Sequence, residues 1–433
     1  MGNFSLRAGY IGGICAITFL LATTQIQASW GATPLEDKYR PARAWIEKFS
    51  STPDIVAAGS IADAIESCDD VVGKNGYCVV EVGDSASGLP LEIFRSNTKL
   101  QGKANMSPLT SSKNGTFIYI GDNTKRVVIE GLDIQGHSAG NHGIYGIIVE
   151  GENIKNILIR NNRIHDFNSN SNAHGIAVYG TAESNKRSIA NVIIEGNTVY
   201  DMRTGSSESI VVNGNVKKWE IRNNDIYDIN NIAIDAIGGE GTSPSRTNSE
   251  GRVLPGKLDA ARYGFIEDNF VENMHTTDNP AYGSKESWAA AIYVDGGHHI
   301  QIRDNVVQNT AWGYEVGAEN CMVSRQITMT GNSAEESYYG DLLLGGYAHK
   351  GFKADKSIDC DPYNTVDANE GHGYVKYLTV KENLFNSDPV EPDNVTLQYR
   401  TTNAIIIEPG VEPVNDQGNG SARGDENAVR TTE

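Results

Sequence analysis

The stretch ILIRNNRI at residues 157–164 decides how this chain reads. Apolar residues alternate, a polar pair interrupts them, and a new apolar start follows. That is the period-2 signature of two strands joined by a tight turn, each with one face buried. The same pattern returns as VVIEGLDI (127–134), VIIEGNTV (192–199), WEIRNNDI (219–226), GFIEDNFV (264–271), IQIRDNVV (300–307), ITMTGNSA (327–334) and LTVKENLF (378–385). One position is asparagine in all but the first of these: Asn162, Asn197, Asn224, Asn269, Asn305, Asn332 and Asn383, with Leu132 as the exception. Their spacings of 35, 27, 45, 36, 27 and 51 residues suit a solenoid that adds one turn per repeat, the parallel β-helix. Asparagine tolerates a left-handed backbone, and its amide can bond the next coil's turn, so the column is expected to be a structural ladder.

A further strand follows in most coils: GIIVEG (146–151), GIAVYG (175–180), SIVVNG (209–214), AIDAIG (233–238), AIYVDG (291–296), GYEVGA (313–318), DLLLGG (341–346) and AIIIEP (404–409). With the first and third apolar residues inward, the residue between them faces outward. The first outward column then reads Ile148, Ala177, Val211, Asp235, Tyr293, Glu315, Leu343, Ile406. Its neighbour reads Glu150, Tyr179, Asn213, Ile237, Asp295, Gly317, Gly345, Glu408.

The ends of the chain read differently. Arg7, the apolar run Ile11–Leu21 and Ile26-Gln27-Ala28 form a signal peptide over 1–28, too short in its apolar part to span a bilayer. Export, to a secreted or periplasmic location, is therefore expected. A lead segment covers 29–54, the β-helix 55–410, and the polar stretch 411–433 reads as a disordered tail. Ser60-Ile-Ala-Asp63 opens a short helix with a capping-box pattern, suited to cover the solenoid's open end. Of five cysteines, Cys15 lies in the signal. The pairs near in sequence, Cys68–Cys78 and Cys321–Cys360, are the natural disulfides in an oxidising compartment.

The net charge of −19 becomes −20 once Arg7 leaves with the signal. Such a surface excludes nucleic acid as a partner and argues against a long polyanion unless a cation offsets it. No segment suggests membrane insertion. Nine histidines without HxH or Met clusters argue against metal delivery.

The repeats resemble the pectate-lyase-like superfamily of single-stranded right-handed parallel β-helices, over roughly residues 55–410. That superfamily includes polysaccharide lyases, glycoside hydrolases and sugar epimerases, so the resemblance implies a polysaccharide or oligosaccharide as partner. The segment from Glu208 to Glu319 is similar to secreted bacterial β-helix proteins, most distinctly at Asn230-Ile-Ala-Ile-Asp235-Ala-Ile-Gly-Gly-Glu240-Gly and Tyr293-Val-Asp295-Gly-Gly. The motifs of the better-known families are not matched. Of the pectin-hydrolase set only Gly371-His372-Gly373 is present; neither the pectate-lyase calcium array nor the Asp-Pro-His-Asp of alginate epimerases is found.

Carboxylates gather in successive coils at Asp235, Asp295 and Glu315, the candidate catalytic residues. Glu208, His174, Asn213, Tyr293 and Trp288 are the candidate substrate-binding residues. Paired acids are what glycosidic hydrolysis requires, one to protonate the leaving oxygen and one to activate water. Clustered like charge raises the pKa of at least one member. The insertions 239–262, 276–288 and 345–376 all adjoin these strands and would wall a groove. They bring Tyr282, Tyr347 and Tyr363 to stack on sugars, with Arg246, Arg252, Lys257, Arg262 and Lys285 as basic loop residues. The alternating column Arg160, Glu195, Arg222, Glu267, Arg303, Lys381 reads as a stabilising charge ladder.

Three functions follow. The first is an inverting glycoside hydrolase needing no cofactor. The second is a lyase or epimerase for a uronic-acid polymer, using the acids through calcium and Tyr293, His174 or a loop base. The third is a non-catalytic glycan-binding or surface protein. A monomer is the first expectation for its assembly and a trimer the second.

Overall fold

The computed structural model describes residues 31–247, 253–275, 277, 279–285, 289–319, 322–346, 374–390, 394–397, 401–402, 404–407 and 429–431. The signal peptide, Trp288, Tyr347, Tyr363, Gly371-His372-Gly373, Glu408 and the Cys321–Cys360 pair lie outside these residues.

The chain winds into a parallel β-helix. Among the described residues, the first strand of each quoted repeat stacks into a 14-stranded sheet that runs from Ile55–Ala57 through Lys155–Arg160, Val216–Arg222 and Tyr374–Lys381 to Val429–Thr431. The other strands of each coil form a 17-stranded sheet, continuous where single strands span the corner at Val306–Ala318 and Ser333–Gly346. Every pairing within these two sheets is parallel, with Ile157↔Val192 and Val192↔Trp219 as representative partners. The inward residues of both sheets close one apolar core along the solenoid axis.

The asparagine ladder forms as the repeat requires. Each buried Oδ1 accepts both the backbone N–H and the Nδ2 of the preceding coil's asparagine, from Asn162–Asn197 to Asn332–Asn383, at 2.8–3.1 Å. Leu132, lacking the amide, keeps only its backbone N–H bond to Asn162. One detail differs from expectation. The left-handed residue is the one before the ladder position, such as Asn161 (φ 54°), Asn223 (φ 50°) or Asp268 (φ 55°). The turn needs that conformation one step earlier, which frees the ladder asparagine to point inward.

Helix α1, Ile61–Val72, caps the first coil, with the Ser60 hydroxyl accepting the Asp63 N–H. It buries Ile61, Ala64, Ile65 and Cys68 on the core, and Cys68 is disulfide-bonded to Cys78. Among the described residues no helix is long and apolar enough to cross a membrane.

The lead segment is not a plain linker. It runs as a strap over the outer face of the first sheet, against the coil order. Ala32 bonds Thr379, Leu35 bonds Gln301, and Tyr39 stacks on Tyr263 at 4.4 Å. Arg40 then bridges Glu220 and Glu267, Arg43 bridges Glu195 and Glu220, and Trp45 packs on Val128, Leu158 and Ile193. The charge column is a ladder, as Arg160–Glu130 (2.6 Å) and Arg303–Glu267 (3.3 Å) show, but the strap neutralises its acids as well.

The C-terminal coils correct two readings. Ala404–Ile407 belongs to the first sheet, Ile406 facing Val380, and the outward column continues instead at Thr396. The second-sheet strand of that coil is the three-residue Val395–Leu397, whose apolar signature is weaker than that of Ala404–Ile407. Val429–Thr431, within the tail expected to be disordered, pairs with Ala404–Ile407.

Candidate active site

The outward column of the second sheet is in register through Tyr119, Ile148, Ala177, Val211, Asp235, Tyr293, Glu315 and Leu343. Asp235 and Glu315 therefore stand two strand steps apart, about 9–10 Å at the backbone, with Tyr293 between. Asp295 is offset by two residues along the Tyr293 strand, opposite Gly317. Beyond Asp235 the sheet opens. Ile237 bridges Gly296 in antiparallel sense and the Gly238 N–H bonds the Asp295 carbonyl at 2.7 Å, so Ile237 is not the neighbour of Asp295. The insertion that leaves at Gly239 draws the chain away there.

Although outward-facing, these side chains are covered. Asp235 is 2% exposed, and Tyr293 and Asp295 are 4% exposed. Burial of a carboxylate disfavours its charged form, and neighbouring carboxylates add to the effect. Asp235 is held well above the usual carboxylate range by burial, then by Glu208 and Asp295. Asp295 is raised by burial and Glu319, although the Glu319 N–H donates to its Oδ1 at 2.6 Å. Glu315 is raised by burial and Glu319, against a hydrogen bond from Tyr293. Glu208 is pushed up to about 8 by burial and Glu240. Among the described residues the Oδ1 of Asp235 is buried without a hydrogen-bond partner, which in a native site calls for a functional explanation.

A cleft of about 470 Å³ opens beside this cluster, lined by Tyr145, His174, Tyr179, Ser206, Ser207, Glu208 and Glu240, among others. His174 and Glu208 are thus brought to the site, the latter directly beside Asp235 in its electrostatic field. The His174 Nδ1–H donates to the Glu208 carbonyl at 2.7 Å, leaving Nε2 to accept the Tyr179 hydroxyl at 2.7 Å. Burial lowers its pKa to about 4, so the imidazole is neutral and both nitrogens are occupied. Its ring stacks on Tyr145 at 5.5 Å. His174 is a strut of the cleft wall.

Asn213 is fully buried with both amide atoms engaged. Its Nδ2 donates to Glu240 Oε2 at 2.6 Å and its Oδ1 accepts from Thr242. It positions Glu240 instead of facing a ligand. Arg262, read as a loop residue, is buried in the first sheet and bonds Asn185, Ser188 and Asn215, away from the groove. Tyr282 bonds Asn231 at 3.3 Å on the groove side. Among the described residues no group of three or more His, Cys, Asp or Glu is arranged to hold a metal ion.

Two acids were missed as site residues. Glu240 lies in the insertion just past Gly238-Gly239, and Glu319 lies just past its strand. Neither holds an alternating position, so only proximity to Asp235 and Glu315 in sequence could have flagged them. The Tyr293 hydroxyl donates to Glu319 Oε1 at 3.3 Å.

No family model matches the chain. It is 37% identical over 230 residues to the uncharacterized protein YwoF of Bacillus subtilis (strain 168), covering 52% of this chain and 45% of that one. The chain thus spans less than half the length of the curated relative that it matches. A Family 28 exopolygalacturonase from Yersinia enterocolitica superposes with TM-score 0.50 at 12% identity, over 88% of this chain and 77% of that one. An alginate lyase from Paenibacillus gives TM-score 0.43 at 12% identity, over 81% and 99%. The likeness to the exopolygalacturonase shows the fold, a right-handed parallel β-helix.

Proposed function

We propose that this protein is an exported glycoside hydrolase that cleaves a polysaccharide with inversion, using Asp235 as general acid and Glu315 as general base. The observation that carries the reading is Asp235 itself: a carboxyl buried among other carboxyls, with an oxygen lacking any hydrogen-bond partner among the described residues. Such a group keeps its proton near neutral pH and can give it to a glycosidic oxygen. Glu315, next to Tyr293 in the outward column, is raised by burial and by Glu319 with the Tyr293 hydroxyl opposing that shift, so it acts as base in the pH range where it has lost its proton. It would take a proton from water as the water oxygen bonds the anomeric carbon and the bond to the leaving oxygen breaks. Two strand steps between the acids are close to the roughly 6.5–9.5 Å that leaves room for that water. Asp295 and Glu319 sustain the field that holds Asp235 protonated.

His174 has neither ring nitrogen open to abstract a C5 proton, and burial keeps the Tyr293 phenol protonated. Both features weigh against β-elimination. The apolar start with its cleavage site after Ala28 supports export.

The test is a screen of the protein against a polysaccharide panel, with reducing ends and ultraviolet absorbance read together. New reducing ends without absorbance are expected. Absorbance growth would mean an unsaturated product and a lyase. Binding with no product would leave a glycan-binding protein.

A further inference from the structure

A column of like charge runs along one edge of the first sheet. Lys125, Lys155, Lys217, Arg262, Arg325 and Lys376 hold the same register position in successive coils, with only Ala190 and His298 interposed. From Lys125 to Lys376 the column covers seven strand steps, about 34 Å at roughly 4.8 Å per step. Like charges directly opposite on neighbouring strands are destabilising. Five residues further along the same strands that cost is avoided, because Glu130, Arg160, Glu195, Arg222, Glu267 and Arg303 alternate in sign. Both columns are built on the same strands, so the repeat does not impose the uniform sign of the first.

The charges are also uncompensated. Among the described residues, Lys125, Lys155, Lys217, Arg262 and Arg325 make no ion pair. Lys155 donates to the Lys186 carbonyl at 3.4 Å, and Lys217 to the Asn185 carbonyl and Oδ1 at 2.6 and 2.8 Å. Arg262 donates to Asn185, Ser188 and Asn215. These neutral acceptors orient the cations and leave their charge in place. Exposed Lys186 stands beside the gap at Ala190, and Glu152 nearby is bonded to Arg187. Lys217 registers the crowding: burial, then Arg262, Lys155 and Lys218, hold its ammonium below the ordinary lysine value.

In a chain of net charge −19, such an edge attracts anions where the molecule as a whole repels them. The stripe is one side chain wide and repeats its charge about every 4.8 Å. Duplex DNA carries one charge per roughly 1.7 Å of its axis, a density that the stripe does not match. An extended polysaccharide with one acid per sugar matches it better, and lysine ammonium groups meet carboxylate or sulfate as point charges. We propose that this edge docks a linear acidic polysaccharide along the solenoid axis, its carboxylates or sulfates facing successive coils. The surface lies on the first sheet, whereas Asp235, Asp295 and Glu315 stand on the second, so it holds whether or not the protein is a hydrolase.

The experiment is calorimetric titration of the whole protein with polygalacturonate, dextran sulfate, unsubstituted dextran and duplex DNA, at low and at raised salt. Polygalacturonate or dextran sulfate should bind, and the tighter of the two identifies the anion. Dextran should not bind, and raised salt should weaken the complex. Lys125→Gln, Lys155→Gln and Arg325→Gln together should weaken binding at least about tenfold, with the melting temperature retained. Arg160→Gln, Arg222→Gln and Lys381→Gln together remove the same charge from the alternating column and should change binding less than about twofold. If the first triple variant fails to fold, Arg325→Gln alone, at an exposed position, should still weaken binding. Equal losses in the two triple variants would reduce the effect to net charge and overturn the proposal. Binding of neither acidic polymer overturns it too, as does tighter binding of DNA than of both.

Discussion

Asp235 and Glu315 occupy equivalent positions two coils apart in one outward column of the second sheet. The solenoid fixes their backbone separation through strand spacing, so loop movement does not set it. A rigid sheet is the kind of element on which a catalytic pair is most accurately held.

The acid cluster makes stability depend on pH. The folded-state pKa of Glu208 is raised from 4.5 to about 8, so folding holds a proton there that the unfolded chain releases. Its stabilisation is complete below about 4.5 and is lost as pH rises through about 8. His174 acts in the opposite sense: lowered from 6.5 to about 4, it contributes above 6.5 and loses that contribution as pH falls through 4. The melting temperature should therefore fall between pH 6 and 9, and fall less in Glu208→Gln. An unchanged alkaline slope in that variant would separate Glu208 from the effect.

The asparagine ladder is expected to be cooperative. Asn224→Ala orphans the Asn197 N–H, removes one of the two acceptors of the Asn197 Nδ2, and takes a donor from the Ile194 carbonyl, all buried. Each orphaned group costs about 1–3 kcal/mol. Urea denaturation should show a loss of at least about 2 kcal/mol, well beyond that of an exposed Asn→Ala.

The strap makes a separate claim. Arg40→Ala leaves Glu220 and Glu267 buried without their shared partner, a class of change that costs up to about 3–5 kcal/mol and less where the cation is partly exposed, as here. Adding Glu220→Gln and Glu267→Gln should recover much of the loss. Failure to recover would mean that Arg40 acts mainly through its packing over Phe265.

The Cys68–Cys78 bridge ties the capping helix to the first coil across a separation of ten residues. Replacing both cysteines with serine should cost about 2–4 kcal/mol. Hydrogen exchange should show the loss first in Ile61–Val72.

Much of this was legible in the sequence because a solenoid repeats its instructions. Alternation at 146–151 and 175–180 placed Ile148 beside Ala177, and the same rule carried Asp235 to Tyr293 and Glu315. Legibility ended where repetition did. Glu240 and Glu319 lie past strand ends, where no period constrains them. Arg40, Arg43 and Trp45 dock on a surface that only exists once the coils are stacked. Ile406 reads as a second-sheet residue because the strand that holds that place, Val395–Leu397, is short and weakly apolar. Asn213 faces outward as its position implies, but a loop covers it and takes its amide for Glu240. The pattern of a strand tells which way a side chain points, and not what later closes over it.

The central claim is that Asp235 delivers a proton during glycosidic cleavage. The most direct test is kcat for Asp235→Asn against the unaltered protein, on whichever polysaccharide yields reducing ends, with the fold confirmed by melting. General acid catalysis contributes about 10²–10⁴-fold. A fall of that size with little change in KM, and loss of the alkaline limb of the pH profile, is the predicted result. A variant that turns over at near the original rate would contradict the account.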